Sequence, residues 1–307
     1  MLVTGGAGFI GSHVCAVLLQ RGHDVTVVDD LSCGYRELVP EGARLIEGSL
    51  ASADLPQWLR GHDAVIHMAG FIEVGRSVEE PALFAENNVV NSVRLLEAMR
   101  KAGVSSIVFS SSACVYGVPR RLPIREDDPL GVQANPYGAT KVAIETFVAT
   151  YYQLHGMNAM ILRYFNPYGP GELHHPETHA IPNFIRATLA GRPVPLYWNG
   201  EQVRDFIYVE DLARAHVEVL GRTGLDYFNV GSETGTRVRD VLELIFELCG
   251  KRSSVEDLGE RPGDVPASYA SSGKLMRLTG WRPEVGLREG LRRTIEYYRA
   301  RLEHGAG

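Results

Sequence analysis

The glycine-rich segment "LVTGGAGFIGSH" (2–13) constrains the fold of this chain more than any other feature. Gly5, Gly8 and Gly11 lie between a short apolar run and a helical pattern. Because glycine has no side chain, the turn is tight and its backbone approaches a pyrophosphate, which the N-terminus of the following helix attracts. The next apolar run ends in Asp29, near the separation of about 20 residues typical of a ribose-binding carboxylate. The segment predicts a dinucleotide site, and Asp29 favours NAD over NADP because it repels a 2′-phosphate.

Short apolar runs and helical patterns alternate through the first half of the chain and resume after a Pro-, Gly- and His-rich loop at 166–182. Such strands, joined by long crossovers, are typical of a parallel sheet covered on both faces. We therefore predict an α/β fold, a doubly wound parallel sheet (Rossmann fold) with a smaller mixed α/β lobe. The strands are predicted at 1–4, 24–28, 43–47, 64–68, 106–110, 159–164, 204–209 and 227–231, and the helices at 9–21, 51–60, 80–102, 137–155, 210–220, 237–249, 272–279 and 286–303.

The change of pattern after the sixth strand predicts two lobes. We expect a dinucleotide-binding domain at 1–167, to which 205–232 returns, and a substrate-binding lobe built from 168–204 and 233–307. A ligand is expected in the seam between them.

Composition narrows the classes of partner. The net charge of −6 argues against nucleic acid, because nucleic-acid-binding proteins carry a basic surface. Four scattered cysteines without a Cys-x-x-Cys pair favour a cytoplasmic protein. No apolar segment reaches the roughly 18–20 residues of a membrane span, and the chain opens directly into a strand, so we expect neither a span nor a signal peptide. "HHPETH" (174–179) matches no standard zinc spacing, so no metal is expected.

A serine, a tyrosine and a lysine form the second group of candidate functional residues. Ser112 follows the strand at 106–110, and ligands of parallel sheets collect at the carboxyl ends of strands. In "NPYGATK" (135–141), Tyr137 and Lys141 are four residues apart on one helical face. A free tyrosine has a pKa near 10, and we expect a lysine ammonium and a cationic nicotinamide to lower it. The pattern predicts a tyrosine base that takes a proton from a hydroxyl held by Ser112. The neighbouring Cys114 is expected to fill space and not to act as a nucleophile.

These motifs resemble those of the extended short-chain dehydrogenase/reductase family, and within it the UDP-glucose 4-epimerase-like nucleotide-sugar epimerases. The resemblance covers nearly the whole chain. The matching segments are "GGAGFIG" (5–11), "VIHMAG" (65–70), "NNV" (87–89), "SSSACVYG" (110–117), "NPYGATK" (135–141), "LRYFNPYGP" (162–170), "RDFIYVEDLARAH" (204–216) and "RPGD" (261–264).

The resemblance implies an NAD-dependent 4-epimerase of UDP-glucose and UDP-galactose, with N-acetylated UDP-hexoses as further candidates. Hydride passes to bound NAD, a 4-keto sugar forms, and hydride returns to its opposite face. A homodimer formed through the helices at 80–102 and 137–155 is also implied. The implied catalytic residues are Ser112, Tyr137 and Lys141; the cofactor-binding residues are Gly5, Gly8, Phe9, Ile10, Gly11, Asp29, Met68, Ala69, Gly70, Asn88, Lys141 and Tyr164; and the substrate-binding residues are Ser112, Tyr137, Asn166, His179, Arg204, Arg261, Asp264 and Ser268.

Four departures from the family pattern leave open which sugar the substrate carries. Ser49 stands where the family usually has an aspartate near the adenine, and Ile72 where UDP-glucose epimerases often have a lysine. The short segment between "PLYWNG" and "RDFIYV" is similar to that of uronate epimerases and dehydratases. A small residue such as Ser268 is associated with N-acetylated sugars.

The alternatives are a UDP-glucuronate 4-epimerase, a nucleotide-sugar 4,6-dehydratase or decarboxylase of the same family, and a catalytically silent NAD-binding regulator. The dehydratases carry Asp-Glu where this chain has Ala113 and Cys114, which counts against dehydration. A silent regulator would have no reason to keep Tyr137 and Lys141 together.

Overall fold

The computed structural model describes residues 1–173, 179–260 and 265–303. Its largest element is a sheet of seven parallel strands in the order β10-β6-β5-β4-β1-β2-β3. In chain order, the strands are β1 (Leu2–Thr4), β2 (Thr26–Asp29), β3 (Arg44–Glu47), β4 (Val65–His67), β5 (Ser106–Ser112), β6 (Asn158–Tyr164), β7 (Asn166–Tyr168), β8 (Val194–Leu196), β9 (Val203–Tyr208), β10 (Leu225–Val230), β11 (Gly235–Arg237), β12 (Val255–Asp257) and β13 (Ala267–Ser268).

Helices connect the strands and cover both faces of this sheet. The helices are α1 (Phe9–Gln20), α2 (Leu55–Leu59), α3 (Val74–Glu79), α4 (Pro81–Phe84), α5 (Asn91–Ala102), α6 (Pro136–His155), α7 (Ala180–Ala190), α8 (Val209–Glu218), α9 (Val238–Cys249), α10 (Gly273–Thr279) and α11 (Leu287–Glu303).

Two apolar cores lie on the two faces of the large sheet. On one face α1 and α8 pack together, with Val14 and Leu212 fully buried. On the other face α2, α5 and α6 bury Leu95 and Ile144 against the strands. Covering both faces leaves only the strand ends accessible, and this arrangement confirms the predicted doubly wound fold.

A second lobe is built around a smaller sheet. β9 pairs with β7, β11 and β13, and only its pairing with β11 is antiparallel. A separate short sheet joins β8 to β12. The helices α7, α9 and α11 pack around these strands and bury Ile185, Leu242 and Leu291. Within the segment 205–232, β9 hydrogen-bonds in the second lobe, whereas α8 and β10 pack with the large sheet.

Two local predictions are wrong in detail. The stretch 166–182 is not a continuous loop, since it begins with β7 and α7 starts at Ala180. The three residues of β7 carry no strand signal of their own. They form a strand because they pair with β9, which is about 40 residues away in the chain. The predicted helix 80–102 consists of α4 and α5 joined by a π-helical turn at Ala85–Val90.

A buried aspartate ties the two sheets together. Asp205 in β9 is fully buried. One of its carboxylate oxygens accepts hydrogen bonds from the backbone N–H and the hydroxyl of Ser232, both at 2.6 Å, just after β10. The other accepts the N–H of Ala270, at 3.0 Å, just after β13. Burial raises the pKa of Asp205, and these hydrogen bonds act in the opposite direction.

We expect Asp205→Ala to lower the free energy of unfolding by about 2–4 kcal/mol, because two buried N–H groups lose their acceptor. Urea denaturation followed by circular dichroism measures the loss. Asp240→Ala is the control, since Asp240 pairs with Arg237 on the surface and its removal should have little effect. Equal losses in the two variants would contradict the assigned role of Asp205.

Candidate active site

The glycine turn between β1 and α1 has no room for side chains. Gly5 has a left-handed backbone (φ 72°), and a Cβ there would lie 2.7 Å from the backbone nitrogen of Ala69. A Cβ on Gly11 would lie 2.1 Å from the carbonyl oxygen of Gly5. Gly8 precedes the first turn of α1, which includes Phe9 and Ile10, and no side chain caps this helix. The turn fits the pyrophosphate of a dinucleotide, since the helix N-terminus remains a site for negative charge.

Asp29 lies at the end of β2 beside this turn. Its carboxylate accepts hydrogen bonds from the N–H groups of Ala7, at 3.0 Å, and Leu31, at 2.9 Å. Burial raises its pKa, while these two hydrogen bonds act to lower it. The side chain therefore holds the glycine turn against the strand end as well as lying where a ribose-binding carboxylate is expected.

The segment Met68–Gly70 after β4 is held by two polar side chains. The hydroxyl of Thr4 accepts the N–H groups of Met68 and Ala69, at 3.2 and 3.3 Å. Asn88, buried in the π-helical turn, accepts the N–H of Phe71 at 2.8 Å and donates to its carbonyl at 2.9 Å. A Cβ on Gly70 would lie 3.3 Å from the Asn88 amide oxygen. Asn88 thus shapes the backbone beside the glycine turn.

Tyr164 has its hydroxyl in a buried network. It donates to Ser110 Oγ at 2.5 Å and contacts Nε2 of His216. Nδ1 of His216 lies 2.9 Å from the carbonyl oxygen of Leu212. The Tyr164 hydroxyl is therefore engaged within the protein at the carboxyl end of β6, and cofactor binding by this residue stays a prediction.

The candidate catalytic residues lie on two neighbouring elements. Asn135 caps α6 by accepting the N–H of Gly138 at 2.9 Å, which places Tyr137 and Lys141 in its first turns. The Lys141 ammonium donates to the carbonyl of Ser110 at 2.8 Å and lies 5.8 Å from the centre of the Tyr137 ring. Ser112 ends β5, and its side chain is near enough to Tyr137 to act on the pKa of the phenol. The structure thus brings together the three residues that the sequence predicted.

The electrostatics of this group differ from our prediction. The pKa of Tyr137 is raised, because burial of the phenol and the nearby Cys114 thiol outweigh the lowering effect of the Ser112 side chain. Burial also lowers the pKa of Lys141 to about 8. Burial of the phenol thus opposes the lowering of the tyrosine pKa that we expected from a lysine ammonium and a cationic nicotinamide. Burial raises the pKa of Cys114 to about 11, so this thiol is a poor nucleophile at neutral pH.

The second lobe contributes four described candidates for substrate binding. Asn166 lies in β7, next to β9. In β9 Arg204 pairs in register with Ser268 of β13, so the lobe brings these two residues side by side. His179 lies directly before α7 and contacts Glu172. Arg261 and Asp264 lie outside the described residues.

Glu145, Arg163 and Glu172 are buried charged residues that the sequence prediction missed. Glu172 contacts His179 through one oxygen, and its other oxygen has no hydrogen-bond partner. Arg163 forms a buried ion pair with Glu145 at 2.7 Å. A signal was available, since Arg163 interrupts an apolar strand and Glu145 is four residues after Lys141 on α6.

Of the "HHPETH" segment (174–179), from which no metal site was expected, only His179 is described. Residues 1–173, 179–260 and 265–303 contain no group of three or more histidine, cysteine or acidic side chains arranged to hold a metal. Within the same ranges no helix is long and apolar enough to cross a bilayer.

Comparison with known proteins identifies the family. Residues 1–231 match the NAD dependent epimerase/dehydratase family. The chain belongs to that family. Its members are NAD-dependent, and the close-packed glycine turn with Asp29 beside it fits such a cofactor. The family predicted from the sequence motifs is confirmed.

Members of the epimerase/dehydratase family resemble this chain over almost its entire length. The UDP-glucose 4-epimerase of Corynebacterium glutamicum is 41% identical over 303 residues, which cover 92% of this chain and 91% of that protein. The crystal structure of the Thermus thermophilus UDP-glucose 4-epimerase in complex with NAD is 39% identical, with a TM-score of 0.90, and covers 97% of this chain and 98% of that one. The structure of the Thermotoga maritima UDP-glucose 4-epimerase with UDP-glucose is 35% identical, with a TM-score of 0.92, and covers 98% of this chain and 99% of that one.

Two buried histidines, His67 and His216, contact residues next to the candidate site of this member of the family. His67 lies between the hydroxyls of Thr4 and Ser92, each 2.7 Å from a ring nitrogen. Burial, with a smaller contribution from the Lys141 charge, lowers the pKa of His67 to about 3. Burial likewise lowers the pKa of His216 to about 4. Both rings are neutral in the folded protein at pH values at which an unfolded chain, with a histidine pKa near 6.5, binds protons.

We expect the free energy of unfolding to fall as the pH decreases from about 6.5, because only the unfolded histidines take up protons. His67→Gln and His216→Gln should each reduce the slope of this free energy against pH by about 1.4 kcal/mol per unit in the range of about pH 4.5 to 5.5. Urea titrations at several pH values provide the slopes. The double variant should lose both contributions, and an unchanged slope in either single variant would contradict this explanation.

Proposed function

We propose that this chain is an NAD-dependent UDP-hexose 4-epimerase that interconverts UDP-glucose and UDP-galactose. The observation that carries the proposal is the grouping of Ser112, Tyr137 and Lys141 at the carboxyl edge of the large sheet, beside the glycine turn. The similarity to UDP-glucose 4-epimerases over nearly the whole chain supports the same activity.

In the proposed reaction, Tyr137 takes the proton of the sugar 4-hydroxyl while Ser112 holds that hydroxyl. NAD, held at the glycine turn and Asp29, would supply the acceptor and donor of the C4 hydride and a cationic ring that favours the tyrosine phenolate. Lys141 is anchored on the Ser110 carbonyl and adds a positive charge beside Tyr137. Because the phenol is desolvated, these charges act in a medium of low effective dielectric constant and strongly influence its proton.

Inversion requires the 4-keto sugar to turn over while its diphosphate stays bound. We infer that Arg204 and Arg261 hold the diphosphate, since guanidinium groups are permanently charged and bind phosphate bidentately. Asn166, His179, Asp264 and Ser268 complete the proposed nucleotide-sugar site. In this arrangement the strong contacts are made to the phosphates, and the sugar is held loosely enough to rotate.

The turn after β5 favours epimerisation over dehydration. Elimination of water across C5–C6 needs an additional acid and base. Ala113 and Cys114 occupy the positions where the resembling dehydratases carry Asp-Glu, and neither supplies that pair. UDP-glucuronate epimerisation and decarboxylation stay as alternatives. The reason is that the segment between "PLYWNG" and "RDFIYV", just before β9, is short, as it is in the uronate enzymes.

The purified protein, with its NAD content measured, should convert UDP-glucose to UDP-galactose and reach the same product ratio from either sugar. Proton NMR or chromatography of the products separates the alternatives. UDP-N-acetylglucosamine and UDP-glucuronate complete the panel, and carbon dioxide release reports a decarboxylase. If NAD-loaded protein leaves all three sugars unchanged, this proposal is wrong.

We expect Tyr137→Phe to reduce kcat by about 10²-fold or more, because the proton acceptor is lost, and to retain bound NAD. Steady-state kinetics with a product assay measures the loss. Tyr297→Phe on α11, in the second lobe, is the matched control and should retain full kcat. A Tyr137→Phe variant with normal kcat would exclude Tyr137 as the base.

We also infer a cytoplasmic homodimer. All four cysteines are free thiols, as suits a reducing compartment. An apolar groove of about 640 Å³ runs along α2 and α5 and reaches α6, with Val89, Val93 and Phe147 in its lining. Phe147 is 40% exposed and Val90 37%. These exposed apolar side chains lie on the helices through which the resembling epimerases dimerise, which makes a second copy of the chain the proposed occupant.

We expect Phe147→Glu to shift the protein from dimer to monomer, because the introduced charge would be desolvated in the interface. Light scattering coupled to size-exclusion chromatography gives the mass. Leu278→Glu, at a similarly exposed leucine near the end of α10, is the control and should leave the mass unchanged. A monomeric unmodified protein would refute the dimer.

A further inference from the structure

A buried ion pair lies behind the catalytic residues and has no part in the mechanism above. The two oxygens of Glu145 on α6 accept hydrogen bonds from Nε and a terminal nitrogen of Arg163 on β6, at 3.0 and 2.7 Å. The side chains are 3% and 5% exposed. A buried pair of this kind gives little net stability, because desolvation of the two charges offsets their attraction. Its position relative to the site therefore calls for a separate explanation.

Glu145 also connects the two elements that carry the catalytic residues. Its Oε1 accepts a hydrogen bond from the hydroxyl of Ser111 at 2.5 Å. Ser111 immediately precedes Ser112, and Glu145 lies one turn after Lys141 on α6. This contact therefore fixes the end of β5 against the helix that presents Tyr137. A displacement of about 1 Å between such groups is enough to reduce a rate by about 10²-fold.

Arg163 is itself held from several sides. It donates to the hydroxyl of Tyr116 at 2.9 Å, and that hydroxyl donates to Asn229 at 2.6 Å. Its guanidinium carbon lies 4.9 Å from the centre of the Tyr116 ring and 4.8 Å from that of Tyr227. Burial acts to lower the pKa of Arg163, but the Glu145 carboxylate and Tyr116 outweigh burial and raise it, so the arginine stays charged. Arg163 thus fixes the carboxylate of Glu145 in one orientation.

Glu145 is also the negative charge that faces Lys141. The other titratable groups around this lysine are Tyr137 on α6, Cys114 after β5 and His67 on β4. Raised pKa values keep the phenol and the thiol uncharged at neutral pH, and a lowered one keeps His67 neutral. Burial lowers the pKa of Lys141, whereas Cys114 and, to a smaller extent, Glu145 act to raise it. The carboxylate therefore helps to keep the ammonium charged.

We propose that Glu145 is a positioning residue of the reaction: it fixes Ser112 against the helix that carries Tyr137 and Lys141, and it supports the charge of Lys141. The proposal rests on the proposed roles of Tyr137 and Lys141. Arg163 is its partner, which orients the carboxylate and balances its charge.

The test compares the unmodified epimerase with Glu145→Gln, in which the amide keeps the shape and an acceptor for Ser111 but removes the charge. We expect kcat to fall about ten-fold or more, while KM and bound NAD change less than two-fold. The alkaline limb of the kcat–pH profile should move about one unit to lower pH, because Lys141 loses its proton more readily without the carboxylate.

Two further variants separate this role from simple stabilisation. Glu145→Gln combined with Arg163→Met removes both charges, so it relieves the unpaired arginine and should raise the urea midpoint above that of the single variant. We still expect a reduced kcat and a displaced alkaline limb in this double variant. Glu247→Gln, which breaks a surface pair with Arg288 on the second lobe, is the control and should leave both quantities unchanged.

Full recovery of kcat and of the pH profile in the double variant would overturn the proposal, since the pair would then serve folding only. An unshifted alkaline limb in a folded single or double variant would overturn it as well. Failure of the proposed function itself is seen separately, as an unmodified protein that epimerises none of the UDP-sugars or a Tyr137→Phe variant that stays active.

Discussion

The candidate site depends on the parallel pairing of the strands in the large sheet. Because neighbouring strands run in the same direction, their carboxyl ends meet at one edge. Thr4 of β1 is thereby opposite His67 of β4, and Ser112 of β5 is opposite Tyr164 of β6. Residues that are far apart in the chain become neighbours through backbone hydrogen bonds alone. The glycine turn and the helix that carries Tyr137 then complete the same edge.

Buried polar side chains give this edge its precision. His67 joins β4 to Ser92 on α5, and Glu145 joins β5 to α6. Polar groups without partners are costly in an interior of low dielectric constant, so a fully paired network stabilises one arrangement over its neighbours. The burial that makes unpaired polar groups costly also raises the pKa of Tyr137 and lowers that of Lys141. Burial is therefore the common cause of the fixed positions of these side chains and of the shifted pKa values of Tyr137 and Lys141.

Much of the fold was predictable because its signals are local. The predicted helix 137–155 begins one residue later than α6, whose Asn135 cap and Pro136 are visible in the sequence. β7 and α7 were not predicted, since β7 is stabilised by pairing with β9 and α7 follows a loop dominated by proline and histidine. Ser112, Tyr137 and Lys141 were predicted from order along the chain, whereas Glu145 and Arg163 read as ordinary charged residues until the fold placed them together.

The sequence by itself determined the alternation of strands and helices, the glycine turn and the identity of the residues at the candidate site, because each depends on short-range sterics and periodicity. Only the tertiary structure decided the electrostatics. The sequence predicted that Lys141 and a cationic nicotinamide lower the pKa of Tyr137, whereas burial raises this pKa in the chain. Desolvation depends on everything packed around a group, and no stretch of sequence contains that information.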